Sequence, residues 1–289
     1  MRLEGSYLLL DCGEGAQRQL SRYGLKALKI SHVFITHLHG DHYFGLPGLV
    51  TSMALFGRSE PLTIVGPPAL SSIMQVLITE SDAHLPFDIQ YITTQCDEPE
   101  IVVETEQFLV TSIPLKHRIP CTGFIIKEKG PERKLNVDAC TRYQVPVSQY
   151  DAIKWGADFE SKQFGLVENA QLTSEGHKNR TYAYITDTIF DKDYLMAHIK
   201  NVDLLYHEAT FLHEREQRAQ ETYHSTAKQA AQTAKEASVK QLMIGHFSAR
   251  YNDATPLLEE ARSIFPNTIE AIEGITLSVG DPSIHVGVG

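Results

Sequence analysis

With 289 residues, 42% of them hydrophobic and 21% charged, the chain can bury a large core and shows no low-complexity tract. Its 26 Lys and Arg against 36 Asp and Glu leave a formal charge of -10, which excludes adhesion to nucleic acid through a broad basic surface. No apolar run approaches the ~20 residues of a membrane span, and no basic, apolar, small-residue signal peptide opens the chain. Cys12, Cys96, Cys121 and Cys140 stand far apart without a C-x-x-C pair, so neither disulfides nor a thiolate metal site is expected. The expectation is a cytoplasmic protein with no membrane partner.

In chain order, a β-rich run at 7–10 ends in Asp11-Cys12-Gly13-Glu14-Gly15, and a helical stretch follows at 15–23. A strand predicted at 32–36 runs into His37-Leu38-His39-Gly40-Asp41-His42, followed by a helix at 46–56 and strands at 62–65, 108–113 and 123–127. His117 lies just past the run at 108–113. The stretch 127–180 is the least regular and predicts an insertion that projects from the core with a small helix or hairpin. Strands at 182–186, 202–206 and 241–244 are followed by Asp187, by His207-Glu208-Ala209-Thr210 and by His246-Phe247-Ser248-Ala249-Arg250. His224-Ser225-Thr226 opens an alanine-rich helix at 226–237, where Thr226 and Gln229 predict a capping box. Strands interleaved with helices and no linker-like stretch predict one α/β domain over 1–289.

Four potential ligands within six positions, 37–42, need a physical reason to sit together. Three crowded imidazoles repel when protonated, and a metal ion removes that difficulty. Gly40 lets the loop bend, so that His37 and His39 can face one ion while Asp41 and His42 turn to a second. Imidazole and carboxylate donors without thiolates suit zinc, with manganese or iron as other occupants. His117, Asp187 and His246, each just beyond a predicted strand, are the candidates to complete such a rim. Singly, each has an ordinary role: a surface histidine, a turn acid, a loop histidine. Asp11 reads equally as a cap for the helix that follows it.

The pattern H-x-H-x-D-H after a strand resembles the metallo-β-lactamase superfamily, and with the Asp-Cys-Gly-Glu-Gly, His-Glu-Ala-Thr, His-Ser-Thr and His-Phe-Ser-Ala-Arg segments the chain resembles the ribonuclease Z family. That resemblance implies an αββα sandwich of two mixed sheets with helices on the outer faces. It implies two Zn2+ per subunit, one on His37, His39, His117 and Asp187, the other on Asp41, His42, Asp187 and His246, with Asp11 orienting a ligand. The implied activity is endoribonucleolytic hydrolysis of a phosphodiester near the 3′ end of precursor tRNA, leaving a 3′-hydroxyl on the tRNA and a 5′-phosphate on the trailer. Asp41 would position or deprotonate the attacking water, His224 held by Glu208 would protonate the leaving oxygen, and Ser248 and Arg250 would bind the phosphate.

The family is homodimeric, with one subunit's arm holding the tRNA cut by the other. The arm corresponds to 127–180, which lacks the family's Gly-Pro-rich knuckle but carries Lys127, Lys129, Arg133 and Lys134 as a candidate basic patch. Family members also begin with a strand and a Thr- and Arg-bearing loop ahead of the point matching Arg2. Two other functions stay open on the same scaffold: a small-molecule phosphodiesterase or aryl sulfatase, and a non-catalytic nucleic-acid-binding protein.

Overall fold

Strand periodicity sorts the apolar side chains into three cores. In the strand Ile30–Phe34, Val33 points to one face and Phe34 to the other; in Leu62–Gly66, Leu62 and Ile64 oppose Val65 in the same way. Buried on both faces, such strands read as continuous apolar runs. In the computed structural model, which describes residues 1–3, 5–176, 178–280 and 284–285, these strands belong to a five-stranded mixed sheet. Its order is Arg2–Leu3, Ser6–Leu10, Ile30–Phe34, Leu62–Gly66, Ile89–Thr93. A seven-stranded mixed sheet faces it, in the order Thr268–Glu270, Gln241–Gly245, Leu204–Glu208, Thr181–Ile185, Cys121–Glu128, Phe108–Leu115, Glu100–Glu104.

Phe34, Val65, Phe108, Val110, Phe124 and Ile126 fill the space between the sheets. Helices Leu46–Leu55 and Leu70–Glu80 cover the outer face of the first sheet through Leu46, Leu49, Met53, Leu70 and Met74. Helices Lys192–Ile199, Ala227–Glu236 and Thr255–Ile264 cover the second. The four layers are the expected αββα sandwich. The capping box is present, with Thr226 Oγ accepting from the Gln229 N–H and Gln229 Oε1 accepting from the Thr226 N–H. Among the described residues, no helix is long and apolar enough to cross a membrane.

Strand direction puts the loops that matter on one edge. Thr181–Ile185, Leu204–Glu208 and Gln241–Gly245 are parallel, so their carboxyl ends lie side by side. Phe108–Leu115 reaches them through two successive antiparallel pairings, which restore the same direction. Its following residues therefore emerge at that edge too.

Several elements depart from the sequence-based expectation. The strand expected at 202–206 is Leu204–Glu208: Asn201 turns with φ 61° just before it, and Asp203 pairs its backbone with Thr181 and Gln241 while its carboxylate accepts the Thr181 N–H at 2.7 Å. Segment 127–180 is more structured than its composition suggests. It holds two small antiparallel pairs, Arg133–Leu135 with Thr173–Glu175 and Phe159–Ser161 with Gly165–Val167, and three short helices. Cys140, Val145, Ile153, Phe159, Val167 and Leu172 form its own core. At its root, Arg180 donates to both oxygens of Glu128, at 2.6 and 2.8 Å.

Candidate metal centre

The loop after Ile30–Phe34 carries His37 and His39, and the single-turn helix Gly40–Tyr43 carries Asp41 and His42. Backbone bonds fix that turn from below: Cys12 N–H donates to the His42 carbonyl at 2.7 Å and Gly45 N–H to the Cys12 carbonyl at 2.9 Å. A Cβ at Gly13 would stand 1.9 Å from the Asp41 carbonyl oxygen, which is the physical demand behind glycine in the Asp-Cys-Gly segment. His117 follows Phe108–Leu115, Asp187 follows Thr181–Ile185, and His246 follows Gln241–Gly245. His246 adopts φ 59°, a left-handed conformation held by its surroundings.

These seven side chains converge. His37, His39, His117 and Asp187 each offer one donor atom within 4.8 Å of the others, and so do Asp41, His42 and His246. Asp187 stands between the groups. Its Oδ2 lies 3.5 Å from His37 Nε2 and 3.6 Å from His117 Nε2, while Oδ1 lies 3.7 Å from His42 Nε2 and 3.3 Å from His246 Nε2. Asp187 is buried, whereas the Asp41 side chain is 68% exposed.

Hydrogen bonds at the other ring nitrogen set the tautomers. A carboxylate can only accept, so His42 Nδ1–H donates to Asp11 Oδ2 at 2.7 Å, and His117 Nδ1–H donates to the Tyr223 carbonyl at 3.1 Å. In the neutral form of each ring, Nε2 is then the nitrogen with the free lone pair. His42 Nε2 is buried with no hydrogen-bond partner among the described residues, and His39 Nδ1 stands 2.9 Å from His37 Nε2 and 3.1 Å from His117 Nε2. An orphaned buried nitrogen and packed imidazole nitrogens beside carboxylates are what a borderline divalent cation such as zinc satisfies. The residues fit that group.

Electrostatics differ across the centre in the polypeptide alone. Burial, with the neighbouring His42, pushes His37 down to about 3, and burial lowers His39 and His117 as well. Burial would also lower His42, but Asp11 and Asp41 carry it up to about 10. Bonds from His246 and then His42 hold the Asp41 carboxyl far below the usual carboxylate range.

Glu208 closes its strand, fully buried, and His224 Nδ1–H donates to its Oε1 at 3.0 Å. The His224 loop is pinned by His224 N–H to the Ala219 carbonyl at 2.8 Å and by Ser225 Oγ to the Thr188 carbonyl at 2.8 Å. His224 also lies within 4.8 Å of Asp187 and His246 by donor atoms. Arg250 Nε donates to Ser248 Oγ at 3.0 Å, and its guanidinium sits 5.1 Å from the Phe211 ring centre. Of the expected basic patch, Lys129 is ion-paired to Glu104 at 2.7 Å and Arg133 donates to Thr173, while Lys127 and Lys134 are exposed.

Asp11 does not cap the helix Ala16–Arg22, whose N-cap is Gly15 without a side-chain bond. It accepts instead from His42, from the Thr36 N–H at 2.9 Å and hydroxyl at 3.0 Å, and from the Tyr184 hydroxyl at 3.1 Å. Thr36, Thr210 and Tyr184 are site residues that sequence reasoning did not single out. Thr36 closes the strand predicted at 32–36 and Thr210 ends the His-Glu-Ala-Thr segment; the available signal was Thr36 next to His37 and Thr210 two residues past Glu208.

Comparison with known proteins agrees with this geometry. The family described as beta-lactamase superfamily domain matches residues 156–247, and that of the anti-Pycsar protein Apyc1 matches 1–144. Ribonuclease Z of Parabacteroides distasonis is 44% identical over 277 residues, 96% of this chain and 91% of its own length. Ribonuclease Z of Cytophaga hutchinsonii is 44% identical over 286 residues, 99% of this chain and 91% of its own. The crystal structure of human tRNase Z, short form, is similar with a TM-score of 0.68 at 28% identity, over 96% of this chain and 90% of that one. Identity at this level along nearly the whole length, on the same sandwich, makes the chain a member of the ribonuclease Z family.

Proposed function

We propose that this enzyme hydrolyses the phosphodiester near the 3′ end of precursor tRNA, leaving a 3′-hydroxyl on the tRNA and a 5′-phosphate on the released trailer. The observation that carries it is the convergence of seven imidazole and carboxylate donors on one rim with a buried Glu208–His224 pair beside them. His37, His39, His117 and Asp187 would hold one zinc ion and Asp41, His42, Asp187 and His246 a second. Bound there, zinc supplies Lewis acidity and lowers the pKa of water into the neutral range.

Asp41, mostly exposed, positions or deprotonates the attacking water. Glu208 holds His224 by Nδ1, leaving Nε2 to deliver a proton to the departing 3′ oxygen. Arg250 and Ser248 bind the phosphoryl oxygens and the charge that develops on them. Segment 127–180 acts as the tRNA-holding arm of a single-domain subunit, and the working form is a cytoplasmic homodimer.

One zinc-loaded preparation tests this, assayed on a 3′-extended precursor tRNA and on bis(p-nitrophenyl) phosphate, with Asp41→Ala as control. Cleavage beside the discriminator base, lost in the variant, is the expected result. Hydrolysis of the small ester alone would leave a phosphodiesterase without the tRNA specificity. Light scattering of the same preparation reports the dimer.

A further inference from the structure

Two carboxylates, the half-buried Asp11 and the fully buried Glu208, one at the end of a strand in each sheet, are wired alike. Asp11 accepts from His42 Nδ1–H at 2.7 Å and from the N–H and hydroxyl of Thr36; Glu208 accepts from His224 Nδ1–H at 3.0 Å and from the N–H and hydroxyl of Thr210, at 3.3 and 2.6 Å. A hydroxyl that has given its proton to a carboxylate can only accept from its other neighbour. That neighbour is His37 Nδ1 at 3.0 Å for Thr36 and His246 Nδ1 at 3.1 Å for Thr210. Each carboxylate thus governs two imidazoles, one directly and one through a threonine.

We propose that Thr36 and Thr210 are positioning residues which, by relaying the charge of Asp11 and Glu208, lock His37 and His246 as Nδ1–H tautomers with Nε2 free for a metal ion. For Glu208 the consequence is double duty. The carboxylate that holds His224 also sets His246, through a hydroxyl shared between the two, so the proton-delivering side of the centre and its metal-holding side are not independent. The Thr210 hydroxyl also lies 2.9 Å from the His246 carbonyl, where the backbone is left-handed; with its one proton on the 2.6 Å bond to Glu208, that approach is a contact and not a second bond.

This rests on the proposal that these imidazoles hold zinc, and the tests are chosen to separate the two. On the metal-free wild type, nitrogen NMR of the imidazoles reads the tautomers without metal or RNA. A protonated Nδ1 is expected at both His37 and His246, and an unprotonated Nδ1 at either overturns the relay even if zinc binds tightly. Zinc affinity, measured by chelator competition, then compares Thr210→Val and Thr210→Ser. Valine keeps the shape and removes the hydroxyl, and should weaken one of two zinc equivalents about 10- to 100-fold. Serine keeps the hydroxyl and should stay within about threefold of wild type, a small share of that effect. Valine binding as tightly as wild type, or serine failing as badly as valine, overturns the proposal. Wild type that binds no zinc while showing the expected tautomers would sink the metal assignment and leave the relay standing.

Discussion

The two halves of the centre solve the same problem differently. Around His37, His39 and His117 the protein presents imidazoles that burial keeps neutral, with the buried Asp187 as their carboxylate. Around His42 and His246 it presents imidazoles raised towards the charged form by carboxylates, and one of those, Asp41, is mostly solvent-exposed. Neutral, buried ligands favour retention of an ion. Charged pairs with an exposed acid favour exchange with water, which is where a nucleophile has to enter. On the proposed function, the first half would hold its ion and the second would meet the nucleophile.

The largest effect should come from the one residue common to both. Asp187→Ala is expected to abolish activity and to deplete both zinc equivalents together, measured by elemental analysis; loss of a single equivalent would break the picture of a shared ligand. Next, His224→Ala should lower precursor cleavage by about 10² to 10⁴-fold with zinc content retained, as expected for a general acid. Zinc loss in that variant would instead make His224 a ligand, an alternative its distance from Asp187 and His246 makes concrete. Asp11→Asn should weaken zinc about 10- to 100-fold. Because Asp11 holds His42 directly and His37 through Thr36, both halves should feel it.

The smallest effect is one of pH. His37 is neutral down to about 3, so zinc enters the first half without displacing a proton near neutrality, whereas His42 holds its proton up to about 10 and must release it. Affinity of the second half should therefore rise by up to about tenfold per pH unit above neutrality, while that of the first stays level. Titrations in buffers of differing ionisation enthalpy count the protons released. In the zinc-free chain the signs oppose. The depressed His37 lends stability above the ordinary pKa of about 6.5, lost as pH falls towards 3; the raised His42 lends stability below 6.5, lost as pH rises towards 10.

Much of the centre could be read from the chain because its first four ligands are neighbours, and because His117, Asp187 and His246 each follow an apolar run that had to be a strand. Thr36 and Thr210 were not legible: a hydroxyl beside a histidine has no spacing of its own, and its role depends on a carboxylate 25 residues away for Thr36. Strands Ile89–Thr93 and Glu100–Glu104 escaped because they lie near or at sheet edges and alternate with polar residues, so their apolar runs are short. The core of segment 127–180 escaped for a related reason. Its six buried residues are shared among helices and strands too short to show any period.

The two sheets contribute unequally and separately to the rim, and this has a thermodynamic consequence. His37, His39, Asp41 and His42 come from one sheet and His117, Asp187 and His246 from the other, joined across the gap by the Tyr184 hydroxyl to Asp11 and the Thr122 N–H to the Thr36 carbonyl at 3.0 Å. Any ion shared between those groups is a rivet through both layers. Whatever binds the folded state alone stabilises it by mass action, so a metal ion held by these residues would also clamp the sandwich shut, and a chelator would act on it as a denaturant.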